Sequence, residues 1–512
     1  MLIAGTILLS APLTAGAKGK ANHVVVMVWD GMRRDFISPQ YTPHLYELVT
    51  NGVFFKRHHP VYVSSTEVNG TAIATGCNPE RSGIIANQDY RPEISLLGPL
   101  ATEGVESVRR GDMMTDGNYL RVPTIAEILQ QDGIATVTAG TKPVVFLHDR
   151  AKGKTSEAGT NSILLYAGKT LPRSAEAACL KVNDDKPFPA AANPNSLRDN
   201  WTSKSMLNAL WKKTVPKYSL LWLSEPDITQ HADGIASPNA IAAIENSDRL
   251  LGEVLKKLEE KGIKDQTDIF VVSDHGFSTI IRGLDVVETL NKVKFRATRK
   301  HEDPDKGDVL VVGLGGSSCF YVYEHDETVI RKLAEFLQTT DFTGVIFSRL
   351  PIEGTFPLDT VRLNATNVAP DLVVSFRWFA DRNENGAPGL VISDGGTKGK
   401  GTHSSLCRYD MLNIAVAWGP DFKQGYVNEV PTGNIDIAPT VLHILGVKPK
   451  TLLDGRVLTE ALVGGGAEPM VETKTLEATR STGIFHWRQY LKYSQVGNTI
   501  YFDEGNGEPS WK

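Results

Sequence analysis

The sequence predicts an α/β fold in which a mostly parallel central sheet carries helices on both faces. Short apolar runs rich in β-branched residues alternate with longer segments whose apolar residues recur at helical spacing. Continuous apolar runs of this kind are typical of strands buried on both faces of a parallel sheet. Their alternation with helices favours a layered α/β architecture over an all-β or all-α one.

The predicted strands are short and are bounded by polar residues or glycine. They cover residues 23–29, 134–138, 219–223, 268–273, 371–376 and 412–418. Helical spacing of apolar residues extends over 42–51, 238–261 and 435–445, and Gly446 closes the last of these. We therefore predict one catalytic domain over residues 21–465.

Three segments fall outside this plan. Residues 278–365 contain strand-like runs of their own and are predicted to be an inserted cap subdomain, and residues 466–512 are predicted to form a C-terminal appendage.

Residues 1–20 resemble a signal peptide, with an apolar stretch at 2–13 followed by Ala15-Gly16-Ala17. No basic residue precedes Lys18, so a disordered or buried apolar tail is the alternative. The stretch is too short for a stable membrane anchor, and we predict export to the periplasm or the exterior.

Composition excludes some classes of partner. The chain has 512 residues and a net charge of -5, which is not the basic balance of a protein that binds nucleic-acid polymers. Affinity for a phosphate must therefore come from a local site, and we expect a small-molecule substrate.

The four cysteines are Cys77, Cys179, Cys319 and Cys407, and none forms a CxxC pair. We interpret them as structural residues that form two disulfides at most.

Acidic and imidazole side chains follow three predicted strands. Asp30 follows the first, Asp227 follows the run at 219–223, and Asp274 with His275 follows the run at 268–273. In open parallel sheets, ligands bind at the carboxyl ends of the strands. A single aspartate in such a place is usually a turn or cap residue, so the prediction depends on the whole set.

Two further histidines complete that set. His231 lies four residues after Asp227, which puts both side chains on one face of a helical turn, and His403 lies in a glycine-rich stretch. Asp30, Asp274 and His275 could hold one metal ion, and the other three side chains could hold a second. Two ions about 4 Å apart can stabilise both the attacking and the leaving oxygen of a displacement.

A hydroxyl nucleophile is predicted at Thr66. It lies just before the run 70–76, which can form a helix, so the helix N-terminus would favour an anion at this point. Asn69 lies one turn on and could donate a hydrogen bond to a phosphoryl oxygen. The alternative is that the threonine is an ordinary helix cap.

Together these motifs resemble the alkaline phosphatase superfamily, and within it the nucleotide pyrophosphatase/phosphodiesterase branch. The resemblance covers residues 23–460 and rests on Val28-Trp29-Asp30-Gly31-Met32-Arg33, Thr42-Pro43-His44-Leu45, the Thr66 segment, Glu225-Pro226-Asp227 with His231, Ser273-Asp274-His275-Gly276, Gly401-Thr402-His403 and Asp436-Ile437-Ala438-Pro439-Thr440.

The resemblance implies a three-layer alkaline phosphatase-like sandwich and two zinc ions. Thr66 would join Asp30, Asp274 and His275 at one ion, attack phosphorus and form a phospho-threonine intermediate. Asn69 would be the phosphoryl-binding asparagine. Lys142 lies where lysines contact phosphate in monoester- and phosphonate-cleaving relatives, although a solvated loop lysine is the alternative.

Three other functions remain as alternatives. A phosphomonoesterase would use the same site with an additional cation for the more highly charged group. Cys77-Asn78-Pro79-Glu80-Arg81 fits the sulfatase pattern, but Thr75-Gly76 precedes the cysteine and Thr66 holds the nucleophile's place. A non-catalytic metal-binding relative would be expected to have lost a ligand or the nucleophile.

Overall fold

The computed structural model describes residues 19–150, 162–365 and 367–511. Its central sheet has nine strands in these residues, and neighbours are hydrogen-bonded. In spatial order they are Tyr426–Asn428, Val53–Phe55, Ala415–Trp418, Thr267–Val272, His23–Trp29, Tyr218–Leu223, Thr136–Gly140, Ile163–Tyr166 and Lys169–Leu171. The strands Thr267–Val272, His23–Trp29, Tyr218–Leu223, Thr136–Gly140 and Ile163–Tyr166 are mutually parallel. The predicted mostly parallel α/β sheet is confirmed.

Helices cover both faces of this sheet because its strands are apolar on both sides. In the first strand Val24, Val26 and Val28 face one core, whereas Val25 and Met27 face the other. The α-helices in the described ranges are Pro43–Asn51, Thr66–Thr75, Pro79–Ser82, Val105–Met114, Ile125–Gln131, Glu176–Val182, Ser196–Ser205, Asp227–Asp233, Pro238–Glu260, Val286–Lys292, Glu327–Gln338 and Ile437–Ile444. None of the described helices is long and apolar enough to cross a bilayer.

Two of the predicted strands differ from the expected plan. The strand Ala415–Trp418 runs antiparallel to Thr267–Val272, although it was expected in a parallel arrangement. The run 371–376 forms the strand Leu372–Phe376 of a second sheet. Both runs are buried, and burial on two faces does not by itself specify strand direction or sheet.

The second sheet is six-stranded and contains Ala297–Thr298, Val309–Gly313, Ser317–Val322, Leu372–Phe376, Thr343–Ser348 and Phe356–Pro357 in spatial order. It occupies most of the predicted insertion and continues past residue 365. A separate sheet has four strands, one of which precedes the second sheet in the sequence while the other three follow it. In spatial order they are Trp378–Arg382, Pro388–Asp394, Ser278–Leu284 and Gly401–Thr402. Short two-stranded pairs join His58–His59 to Thr432–Gly433 and Gln88–Asp89 to Leu100–Ala101.

The predicted C-terminal appendage contains an antiparallel sheet of Val471–Thr482, Phe485–Val496 and Thr499–Trp511. Trp487 is fully buried, and its indole donates a hydrogen bond to the Gly354 carbonyl. Residues 1–18 of the predicted signal segment lie outside the described residues. All four cysteines are buried and unpaired, so the structure contains no disulfide among them.

Candidate active site

The six predicted acidic and imidazole side chains lie together at the carboxyl edge of the central sheet. Nε2 of His275 is 3.7 Å from Asp30 Oδ1, 4.0 Å from Asp227 Oδ1 and 3.3 Å from Asp274 Oδ2. Asp227 Oδ1 in turn is 3.3 Å from His231 Nε2 and 3.8 Å from His403 Nε2. Side chains from four separate parts of the sequence therefore converge on one small volume.

Two groups of these atoms are close enough to share an ion. The ligand atoms of Asp227, His231 and His403 lie within 4.8 Å of one another, as do those of Asp30, Asp227 and His275. The first group is the predicted second site. The second group shows that Asp227 lies at the boundary between the two predicted sites.

The three imidazoles are held in the same way. Nδ1 of His231 lies 3.0 Å from the Gly401 carbonyl, and Nδ1 of His403 lies 3.0 Å from the Ser64 carbonyl. His275 makes the equivalent contact, at 2.8 Å, to the carbonyl of the residue that follows it. Because a carbonyl only accepts, each Nδ1 carries a proton and each Nε2 is directed to the centre of the site, where a neutral imidazole can ligate a metal ion.

Each of the three carboxylates has one oxygen with no hydrogen-bond partner among the described residues. These buried atoms are Asp30 Oδ1, Asp227 Oδ1 and Asp274 Oδ2. The other oxygen of Asp274 accepts a hydrogen bond from the Gly31 N–H, 2.9 Å away. Gly31 has a φ of +68°, and a Cβ there would lie 2.8 Å from the Phe277 ring, so this tight turn requires glycine.

The charges of the cluster are those of a cation-binding site. Burial, together with repulsion from Asp274, raises the pKa of Asp30 well above its usual value, and burial raises the pKa of Asp274 to about 6. Burial lowers the pKa of His275 and of His403, which favours neutral imidazoles at these two positions. Burial would also lower the pKa of His231, but the neighbouring carboxylate of Asp227 raises it above the usual value. Crowded carboxylates, neutral imidazoles and orphaned buried oxygens form a donor set that fits divalent metal ions.

Thr66 is the first residue of the helix Thr66–Thr75, as predicted, and its hydroxyl faces this set. The hydroxyl oxygen lies 3.2 Å from His275 Nε2, and the residue is 2 % exposed. Ser65 precedes the helix in extended conformation and makes no side-chain cap. The threonine is therefore directed to the cluster instead of serving as the helix cap.

Asn69 does not serve the predicted role, because its hydrogen-bonding capacity is used elsewhere. Its amide nitrogen lies 3.1, 3.3 and 3.2 Å from the carbonyls of Val61, Val63 and Ser65. Its oxygen accepts from the Val61 N–H and from the Asn434 amide. These contacts do not fit the predicted phosphoryl-binding role, since the side chain instead fixes the loop that precedes the nucleophile.

Asn87 was not singled out from the sequence, and its side chain contacts the backbone next to Thr66. Its Oδ1 accepts a hydrogen bond from the backbone N–H of Glu67, the residue after Thr66, at 3.2 Å. Its amide nitrogen makes no hydrogen bond to the described residues, and the residue is partly exposed. Only the fold brings it here, because a loop asparagine twenty-one residues away carries no local signal.

Lys142 is not a solvated loop lysine. Nζ lies 2.8 Å from Asp30 Oδ2 and 3.1 Å from Asp227 Oδ2, and the side chain is 18 % exposed. Burial alone would lower the pKa of Lys142, but the carboxylates of Asp227 and Asp30 raise it well above the usual value. Burial raises the pKa of two further carboxyl groups, those of Glu67 and Glu103, and the positive charge of Lys142 offsets part of this rise.

The predicted sulfatase alternative does not fit the helix that follows Thr66. Cys77 comes after the C-terminal end of this helix, is buried and has its pKa raised to about 11 by burial. Ten helical residues span about 15 Å, so the cysteine lies at the opposite end from the cluster.

Comparison with known families agrees with this geometry. The family model of type I phosphodiesterase / nucleotide pyrophosphatase matches residues 24–393, which is most of the chain. The chain belongs to this family. The match includes Asp30, Thr66, Asp274 and His275 but ends ahead of His403, which the fold brings to the site from a later segment.

Individual relatives are distant in sequence. A venom phosphodiesterase of Macrovipera lebetinus is 24% identical over 431 residues, which is 83% of this chain but 43% of the relative. The chain thus spans less than half the length of that protein. The mouse protein bis(5'-adenosyl)-triphosphatase enpp4 is 20% identical over 85% of this chain and 81% of its own length.

Solved structures show the same fold. Murine ectonucleotide pyrophosphatase / phosphodiesterase 5, solved as an inactive threonine-to-alanine variant in complex with AMP, superposes with a TM-score of 0.60 at 18% identity. The superposition covers 86% of this chain and 100% of the murine one. At this identity the likeness concerns the fold.

Proposed function

We propose that the chain hydrolyses phosphodiester or nucleotide pyrophosphate bonds with two zinc ions and a phospho-threonine intermediate. One observation carries the proposal. The hydroxyl of Thr66 lies 3.2 Å from His275 Nε2, and this imidazole belongs to a cluster of three imidazoles and three carboxylates, each with one oxygen that lacks a hydrogen-bond partner among the described residues. A hydroxyl beside such a metal-ligating cluster has the surroundings of an activated nucleophile.

The residues divide naturally between two ions. Asp30, Thr66, Asp274 and His275 would hold the first, and Asp227, His231 and His403 would hold the second. Each set leaves positions open for a substrate oxygen. When bound, such ions lower the pKa of a coordinated hydroxyl and stabilise the charge that develops on the attacking and leaving oxygens. The same donor types accept other divalent ions, and zinc is proposed from the imidazole-rich set and the family.

The chain's own residues account for the remaining steps. Thr66 Oγ1 loses its proton and forms a bond to phosphorus as the bond to the leaving oxygen breaks, and the leaving oxygen takes up a proton from solvent. Water then attacks phosphorus, the bond between Oγ1 and phosphorus breaks, Oγ1 regains a proton, and the phosphate product is released with the oxygen of that water. The helix that begins at Thr66 directs its positive end towards the anionic group throughout.

Asn87 is proposed as the phosphoryl-binding donor in place of Asn69. With its oxygen held by the Glu67 N–H, its amide hydrogens are free to meet a substrate oxygen beside Thr66. Asn87→Ala should lower kcat by roughly 10²-fold, as expected for the loss of one such donor. Asn69→Ala should instead lower the free energy of unfolding by about 2–3 kcal/mol, because buried backbone groups lose their partners.

The measurements for this pair are steady-state kinetics and urea unfolding of both variants. The reverse pattern, with Asn69→Ala stable but slow and Asn87→Ala fully active, would return the phosphoryl-binding role to Asn69.

The comparisons support the choice of substrate. The family description names phosphodiesterases and nucleotide pyrophosphatases, and the murine structure holds AMP in a variant inactivated by replacement of a threonine. We extend both features to this chain, with a nucleotide-like small molecule as substrate. Export is proposed from the apolar stretch at residues 2–13 and from the venom relatives.

The proposal is tested by comparing nitrophenyl esters on the purified protein with its metal content measured. We expect kcat/KM for the nitrophenyl ester of a nucleotide, a diester, to exceed that for nitrophenyl phosphate by at least about tenfold. No cleavage of nitrophenyl sulfate is expected. A faster monoester reaction would assign the chain to the phosphomonoesterases, and metal-loaded protein that cleaves none of the three would indicate a binding protein.

A further inference from the structure

A single lysine joins the two proposed ion sites. Lys142 Nζ contacts Asp30 Oδ2 at 2.8 Å and Asp227 Oδ2 at 3.1 Å, and these aspartates belong to different sites. In both residues the contacted atom is the outer oxygen, since Oδ1 is the one that faces the imidazoles. The ammonium group therefore lies behind the ligand atoms and bridges one ligand of each site.

The backbone of Lys142 is fixed by its neighbours. It follows the central strand Thr136–Gly140 and precedes the short helix Pro143–Leu147. The preceding residue, Thr141, donates its N–H to the Trp222 carbonyl at 3.1 Å and its hydroxyl to Thr202 at 3.1 Å. A side chain that starts from such a fixed point can hold its two partners at one separation.

We propose that Lys142 is a positioning residue that sets Asp30 and Asp227 relative to each other and so fixes the spacing of the two ions. The inference rests on the proposed function, because it assumes that these aspartates hold metal. The predicted direct contact between Lys142 and the substrate is a separate hypothesis, because the ammonium has three donors and two of them are used by the aspartates. Partners that orient metal ligands typically affect metal affinity by about 10–100-fold when they are lost.

The two carboxylates depend on Lys142 to different degrees. Asp30 Oδ2 also accepts a hydrogen bond from the Trp222 indole at 2.9 Å, so it keeps one partner without the lysine. Asp227 Oδ2 has Lys142 as its hydrogen-bond donor and no other among the described residues. Removal of the lysine should therefore disturb the site of Asp227, His231 and His403 more than the other site.

The test is zinc titration calorimetry on the metal-free protein. In Lys142→Met we expect the site of Asp227 to lose roughly 10–100-fold in affinity and the site of Asp30 to lose clearly less. Lys400→Met is the matched control, because Lys400 is a partly exposed lysine whose nearest carboxylate, Asp233, lies 3.9 Å away. This control should bind zinc as the unaltered protein does. Repeating the titration in His403→Ala assigns each binding step to its site.

Trp222→Phe provides the opposite case for comparison, and Lys142→Gln is the second variant that tests the lysine if Lys142→Met does not fold. The tryptophan variant removes one partner of Asp30 only, so the site of Asp30 should weaken while the site of Asp227 is unchanged. Unchanged or tighter zinc binding in Lys142→Met, with KM alone raised, would overturn the positioning role in favour of substrate contact. Failure of the unaltered protein to bind two zinc ions would overturn the proposed function itself, and the positioning role with it.

Discussion

Replacement of Thr66 by alanine should abolish hydrolysis while the protein still folds and binds metal. Its hydroxyl is the group from which the phosphoryl transfer starts, and it lies 3.2 Å from His275 Nε2. Loss of the nucleophile from a site that acts as a unit costs roughly 10⁴-fold or more in kcat. The aspartates and histidines remain, so we expect near-normal metal content.

Thr71→Ala is the matched control for this experiment. Thr71 lies in the same helix, is buried, and its hydroxyl has no hydrogen-bond partner among the described residues. Both variants lose the same atoms, but only Thr66→Ala should lose activity. Hydrolysis by Thr66→Ala at a rate within tenfold of the unaltered protein would mean that water attacks phosphorus directly and that no phospho-threonine forms.

Replacement of His403 by alanine should lower metal content from two ions to one and reduce activity strongly. The side chain supplies one of three ligands to the second proposed ion, and its Nε2 lies 3.8 Å from Asp227 Oδ1. An ion contributes several kcal/mol of transition-state stabilisation, which corresponds to roughly 10³-fold in rate. The first site keeps all its ligands and should stay occupied.

Elemental analysis of the dialysed protein measures this result together with the rate. His443→Ala is a suitable control, because His443 lies on the helix Ile437–Ile444, away from the cluster, and is only partly buried. It should retain both ions. If His403→Ala also retained two ions, the proposed division of ligands would be wrong.

Much of the fold was predictable because burial leaves a strong mark on the sequence. The runs at 23–29, 219–223 and 268–273 correspond closely to the strands His23–Trp29, Tyr218–Leu223 and Thr267–Val272. These strands lie in the middle of the central sheet, where both faces are apolar. Pairing partners are not encoded so locally, which is why the antiparallel strand Ala415–Trp418 and the second sheet were not foreseen.

The metal-ligating candidates were predictable for a related reason. Asp30 and Asp274 come at the ends of recognisable strands, Asp227 lies four residues after another, and parallel strands deliver their ends to one edge. Prediction was poorer for residues that depend on loops. Asn69 was assigned from its spacing along a helix, but the conformation of residues 61–65 directs its amide to backbone carbonyls.

No local sequence pattern identifies the residues that hold the candidate metal ligands in place. Trp222 lies within a buried strand and looks like any core residue, yet its indole donates to Asp30 at 2.9 Å. The contact of Lys142 with two aspartates likewise depends on residues 85 or more positions apart meeting in the fold. Such contacts follow from tertiary structure and not from local pattern.

The most direct test of the account is anomalous scattering at the zinc edge from crystals of the zinc-loaded protein. It predicts two peaks about 4 Å apart, one against Asp30, Asp274 and His275 and the other against Asp227, His231 and His403, with Thr66 Oγ1 beside them. A single peak, or peaks remote from these side chains, would contradict the dinuclear site on which every step of the proposed hydrolysis depends.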